Sequence, residues 1–152
     1  MKKYIAYVLW LFWLFIIFYL SNQPGNISGG ESSHLIYNTL HFIYTCLNLD
    51  TSHLNEIILI IHNPLRECMH SLEYLILGVL TINLLIQTQV KENKMIITIL
   101  FCFIYAATDE IHQLFIPGRT FEYFDIAMDM IGAIIGSWIT NKFISKQATC
   151  KL

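Results

Sequence analysis

Charge is scarce in this chain. Only 13% of its 152 residues are Asp, Glu, Lys or Arg, against 55% hydrophobic, and the mean hydropathy is +0.54. A soluble domain typically carries about twice that share of charge, so a soluble globular class is excluded. Basic residues form no stripe that could neutralise phosphates, which excludes nucleic acid as a partner. The four cysteines, Cys46, Cys68, Cys102 and Cys150, contain no C-x-x-C pair and no zinc-like spacing, and are read as structural. A Cys46–Cys68 bridge would need both residues on an oxidising exterior. No period of 20–50 residues recurs, so residues 1–152 are expected to form one domain.

What is abundant is long apolar sequence. Lys2 and Lys3 precede a run over 4–20 without a charge, long enough to cross a roughly 30 Å hydrocarbon core. No A-x-A-like cleavage site follows, so the run is expected to remain as a first helix. Further spans are expected over about 65–88, 95–116 and 124–144. Between the first and second lies a loop, 21–64, with apolar residues at helical spacing from Leu35 to Leu47 and again from Leu54 to Ile61. These suggest two short interfacial or re-entrant helices. Asn63-Pro64 has the chemistry of a helix start. The fold class expected is therefore all-α, a bundle of four transmembrane helices.

Lysine orients the bundle. All seven lysines fall at the two termini or in the 91–94 turn, leaving only Arg66 and Arg119 at the opposite end. The positive-inside rule makes the lysine side cytoplasmic, giving a multi-pass cell-membrane protein with both termini inside. Every acid except Glu92 then belongs to the outer half.

Helical spacing gathers these polar groups. Arg66, His70 and Glu73 share one face at the outer end of the second span, and Asp109 and His112 sit together at the end of the third, with Glu110 about a quarter-turn away. Asp125 and Asp129 share a stripe with Gly132 and Gly136, a small-residue pattern that lets helices approach closely in lipid. Ionisable groups within a membrane are costly and usually functional. His70, Glu73, Asp109 and His112 suit a divalent metal ion that would activate a water. Either histidine would otherwise serve as a general base poised by a neighbouring acid. A purely structural network, in which Arg66 and Arg119 pair with acids to lock the helices, would use the same residue types.

Three segments carry a resemblance: Ser21-Asn22-Gln23-Pro24-Gly25, Arg66-Glu67-Cys68-Met69-His70-Ser71-Leu72-Glu73-Tyr74, and Asp109-Glu110-Ile111-His112-Gln113-Leu114-Phe115-Ile116-Pro117-Gly118-Arg119. With Asp125, Asp129, Gly132 and Gly136 they resemble the VanZ-like family of bacterial membrane proteins, named for a component associated with teicoplanin resistance. Glu67 departs from that pattern, where a basic residue often stands beside the arginine. The resemblance implies a bacterial protein with a part in tolerance of glycopeptide or lipoglycopeptide antibiotics.

Two functions are consistent with these residues. One is an outer-leaflet hydrolase or transferase acting on a lipid-linked or amphiphilic cell-envelope substrate. His70, Glu73, Asp109, Glu110 and His112 would do its acid–base or metal work, and Ser21, Gln23, Arg66, Gln113, Arg119, Asp125 and Asp129 would hold polar groups of the substrate. The other is a non-catalytic binder of membrane lipid headgroups or acylated antibiotics. An ion-coupled carrier is disfavoured, because nothing polar continues through the cytoplasmic halves of the spans.

Overall fold

The computed structural model describes residues 2–149, and the side chains of 3–24, 36–61 and 64–143. Among these residues the chain is all helical: α1 (Lys2–Ser21), α2 (Gly25–Cys46), α3 (Leu54–Gln87), α4 (Lys94–Gln113) and α5 (Tyr123–Thr149). Local chemistry sets several of the boundaries. The Asn93 side chain accepts from the backbone N–H groups of Met95 and Ile96 at 3.1 and 3.3 Å, capping α4. α2 ends where Asn48 turns to φ 52°, with Leu49 donating to the Tyr44 carbonyl and Asn48 to that of Thr45. The end of α3 repeats this reversal through Gln89, at φ 57°, and Val90. Both are Schellman endings, which return the last carbonyls to backbone donors.

The loop expected to hold two short helices is built differently. α2 is one helix of 22 residues that begins at Gly25. The segment expected as the second short helix is the first part of α3, which continues through Pro64 instead of starting there. A proline inside a helix removes one hydrogen bond and costs about 3 kcal/mol. Burial of Leu54 and Ile58, upstream of the proline, offsets this. A tertiary contact outweighs a local stop signal here.

α3 is the central element, packed on α5 most extensively and also on α1, α4 and α2. α1 and α5 both pack on α3 and α4. Close approach of α3 and α5 depends on glycine from both sides. A Cβ on Gly78 would come 2.5 Å from the Ala133 carbonyl oxygen, while one on Gly132 or Gly136 would collide with the Ser71 or Leu75 carbonyl. Ile17, Tyr74, Leu77, Cys102, Ala106 and Ala133 form the core where α1, α3, α4 and α5 meet. Trp10 and Trp13 tie α1 to α3, donating to the Thr81 hydroxyl at 3.0 Å and the Glu73 carbonyl at 2.9 Å.

The outside of the bundle is apolar. Tyr4, Val8, Phe12 and Phe15 on α1 are more than half exposed, as are Leu100 and Ile104 on α4. Three segments, Lys3–Ser21, Pro64–Gln87 and Lys94–Gln113, are long and apolar enough to cross a membrane. The fourth expected span lies in α5, which is 27 residues long and carries Asp125 and Asp129 in its first two turns. Cys46 and Cys68 are both exposed, free thiols and form no bridge.

Candidate functional site

The polar residues meet at one end of the bundle, where α1 and α4 finish and α5 begins. Along α4, Asp109 and Gln113 are one turn apart on the inward face. Gln113 Nε2 donates to Asp109 Oδ2 at 3.2 Å, and both residues are buried. The α4–α5 connection then reverses at Ile116-Pro117-Gly118-Arg119, with Gly118 at φ 79° and Arg119 N–H donating to the Ile116 carbonyl at 3.2 Å. Proline followed by a positive-φ glycine is the signature of a type II turn. It folds Arg119 back over the helix end. Arg119 Nη1 donates to Gln113 Oε1 at 3.4 Å and Nε to the Gln23 carbonyl at 3.2 Å, so one relay joins Asp109, Gln113, Arg119 and the end of α1.

Burial and the nearby Arg66 hold the Arg119 guanidinium below its ordinary basicity, while Asp109, Glu110 and Asp125 favour its charge. Ser21, 3% exposed, faces Asp109, but its Oγ lacks the geometry of a hydrogen bond.

α3 brings a second set. Arg66 Nη2 lies 3.1 Å from Glu67 Oε1, 3.4 Å from Asp125 Oδ2 and 3.6 Å from Glu122 Oε2. One turn on, His70 Nδ1 is 4.0 Å from Glu73 Oε2. Glu73 is within electrostatic reach of Asp109, and Asp129 within reach of Asp109, Glu73, Asp125 and Glu110. Glu110, 2% exposed, accepts the backbone N–H of Glu122 at 3.0 Å and so fixes the start of α5.

This set is not satisfied internally. Ser21 Oγ, Arg66 Nε, Glu67 Oε2, Tyr74 OH, Asp125 Oδ1 and Asp129 Oδ1 are buried and make no hydrogen bond within the protein. Buried polar atoms ordinarily have partners, so each of these calls for water or a ligand. Seven carboxyl groups, from Glu67, Glu73, Asp109, Glu110, Glu122, Asp125 and Asp129, surround two guanidinium groups. The carboxylate oxygens of this cluster therefore call for hydrogen-bond donors or positive charge, while Arg66 Nε calls for an acceptor.

Of the twelve residues singled out from the sequence, Gln23 joins the cluster through its backbone carbonyl, and His112 is within electrostatic reach of Asp109 but turns its ring away, while the other ten converge here. His112 lies about 60° round α4 from Asp109, toward α1. Its Nε2 is 3.3 Å from Asn22 Oδ1 and its ring stacks on Phe18 with centroids 5.1 Å apart. Nor are the expected metal ligands, His70, Glu73, Asp109 and His112, gathered at coordination spacing. Among the described residues, the three carboxylates that do converge are Glu67, Glu122 and Asp125, with oxygens within 4.8 Å of one another.

Glu67 and Glu122 were therefore missed as site residues, as were Asn22 and Tyr74. Signals existed for the two acids: Glu67 adjoins Arg66, and Glu122 stands three residues before Asp125. Tyr74 closes the second segment of the family resemblance, but its chemistry gave no signal of the burial between helices that leaves it 1% exposed.

Neither the curated proteins nor the solved structures include a match to this chain. A family model described as VanZ/LLP1 matches residues 4–144, which contain every site residue named above. The chain belongs to the VanZ/LLP1 family.

Proposed function

We propose that α1, α3, α4 and α5 all cross the membrane with the termini cytoplasmic, and that the polar end of the bundle opens at the outer leaflet. There it acts as a hydrolase or transferase on the headgroup of an amphiphilic, lipid-linked envelope molecule, and thereby contributes to tolerance of glycopeptide antibiotics. The seven lysines at the opposite end support the orientation. Extensive packing of α5 on α3 supports the fourth span, because its two aspartates then face a helix and not acyl chains. α2, with Phe42 and Leu47 well exposed, would lie at the outer interface.

The observation that carries the reading is the group of buried polar atoms without partners beside neighbouring acids. Asp129 Oδ1, Ser21 Oγ and Tyr74 OH have no hydrogen-bond partner and lie near Asp109. Hydroxyl, amide or amino groups of a glycan-like or aminoacylated headgroup would supply such partners. Glu73 and Asp109, from facing helices, would move protons on the bound headgroup, with His70 poised beside Glu73. Arg119 and Arg66 would hold an anionic group of the same molecule at the rim.

Asp109→Asn and Glu73→Gln test this, since both keep side-chain shape and remove only the acid. Cells carrying either variant should lose protection against teicoplanin, while the purified proteins melt within a few degrees of the parent. Full protection in both variants would overturn the acid–base reading.

A second reading, non-catalytic capture of a headgroup or acylated antibiotic, is favoured by His112. Its imidazole is held by Asn22 and Phe18, as a packing residue would be. In that case both variants would retain protection whereas a bulky substitution at Ser21 would remove it.

A further inference from the structure

We propose that Ser21 is the nucleophile of this site, activated by Asp109, and that the bond it attacks is an acyl or aminoacyl ester of the amphiphilic substrate. This role presupposes that Asp109 moves protons, and adds a covalent step to it.

Helical hydroxyls in this protein turn back to their own backbone. Thr45, Thr88, Ser137 and Thr140 each donate to the carbonyl four residues earlier, at 2.7, 2.8, 2.7 and 2.9 Å. Ser21, in the last turn of α1, does not. Its Oγ is buried without a hydrogen bond and faces Asp109. The surrounding contacts hold the two residues in register, because the relay from Asp109 through Gln113 and Arg119 ends on the carbonyl of Gln23, two residues beyond Ser21. Asn22, between them, meets His112 at 3.3 Å. A hydroxyl beside a base that a third group orients is the arrangement that activates a nucleophile, and such a pair tightens when substrate binds.

Ser21 Oγ bonds to the ester carbonyl carbon as its proton passes to Asp109. The C–O bond to the alcohol then breaks, and the alcohol leaves with that proton. Water, or an acceptor hydroxyl in a transferase, attacks the acyl-serine and gives its own proton to Asp109, which returns it to Ser21 Oγ. Tyr74 OH, buried without a partner and near Asp109, is a donor for the oxyanion of either step. Seven carboxyl groups line the cluster, so a neutral ester carbonyl enters it at less cost than a phosphoryl centre carrying negative charge.

The purified full chain in detergent is treated with a long-chain alkyl fluorophosphonate, and the intact protein and its peptides are weighed by mass spectrometry. Ser21 Oγ takes the probe's phosphorus, fluoride leaves, and the hydroxyl proton passes through Asp109 to solvent. One phosphonyl group per chain is expected, on the peptide containing Ser21. It should form roughly a hundredfold more slowly in Asp109→Asn, the scale of a single general base. Ser21→Ala should take up no probe and melt no lower than the parent, since it removes a buried hydroxyl that has no partner. No adduct at Ser21 in the parent, or an Asp109→Asn protein labelled at the parental rate, would overturn the nucleophile. In cells, Ser21→Ala with teicoplanin protection intact beside an inactive Asp109→Asn would remove Ser21 and leave the acid–base reading standing. Protection intact in both would remove both.

Discussion

Arg119 and Gln23 are 96 positions apart in the chain, yet the Arg119 Nε–H donates to the Gln23 carbonyl at 3.2 Å. This bond closes the polar end of the bundle. Through Nη1 the same guanidinium holds Gln113, and through Gln113 it orients Asp109.

Arg119→Gln should therefore destabilise the protein as well as disable the site. Loss of a partly buried cation beside several acids should cost on the order of 2 kcal/mol, less than a fully buried pair because half the group meets solvent. Arg119→Lys keeps the charge but lacks the planar fork that serves Gln23 and Gln113 together. Thermal unfolding in detergent should rank parent above Lys above Gln. A Lys variant as stable as the parent would show that charge alone suffices.

The α3–α5 seam gives a second prediction. Sequence spacing marks Gly132 and Gly136, but Gly78 meets the Ala133 carbonyl in the same seam. Leucine at any of the three should impair folding, at or beyond the 1–3 kcal/mol or so typical of overpacking, because the obstructing atoms are backbone and cannot swing aside. Yield and melting temperature of the three variants give the answer. A Gly78→Leu protein as stable as the parent would contradict the packing.

His112→Ala should behave differently from Asp109→Asn. The imidazole bonds Asn22 and stacks on Phe18, so its loss should cost roughly 1 kcal/mol through the α1 contact and leave the acids in place. Asn22→Ala should cost a similar amount, and the double variant less than the sum, since both remove one interaction. Additive losses in the double-mutant cycle would refute the contact. Abolished protection at unchanged stability would instead return His112 to the catalytic set.

Topology is open to labelling. Single cysteines at Glu122 and at Leu49 should react with impermeant thiol reagents added outside intact cells, in a chain whose native cysteines are replaced. A cysteine at Glu92 should react only after lysis. The lysine distribution motivates this. The inverse pattern would place the polar pocket on the cytoplasmic side and overturn the proposed outer-leaflet substrate.

The sequence by itself determined the helical class, the apolar segments and which ionisable residues to examine as a candidate site. Low charge and long hydrophobic runs leave helices as the way to satisfy the backbone in lipid. A rare ionisable residue in such a background is conspicuous, and helical period alone puts Asp109 beside Gln113 and Asp125 beside Asp129. The family resemblance at those residues was confirmed by the match over 4–144.

Tertiary structure decided the rest. Pro64 reads locally as a helix start, yet α3 runs through it, because burial of Leu54 and Ile58 outweighs one missing hydrogen bond. His112 and Asp109 lie within one turn, but a rotation of some 60° between them sends one toward Asn22 and the other toward Gln113 in the buried cluster. Glu67 shares no helical repeat with Glu122 and Asp125, and only docking of α5 on α3 brings their oxygens together around Arg66. Periodicity specifies which residues share a helix face. Which faces meet depends on packing between elements far apart in the chain, and that is where the geometry of this site originates.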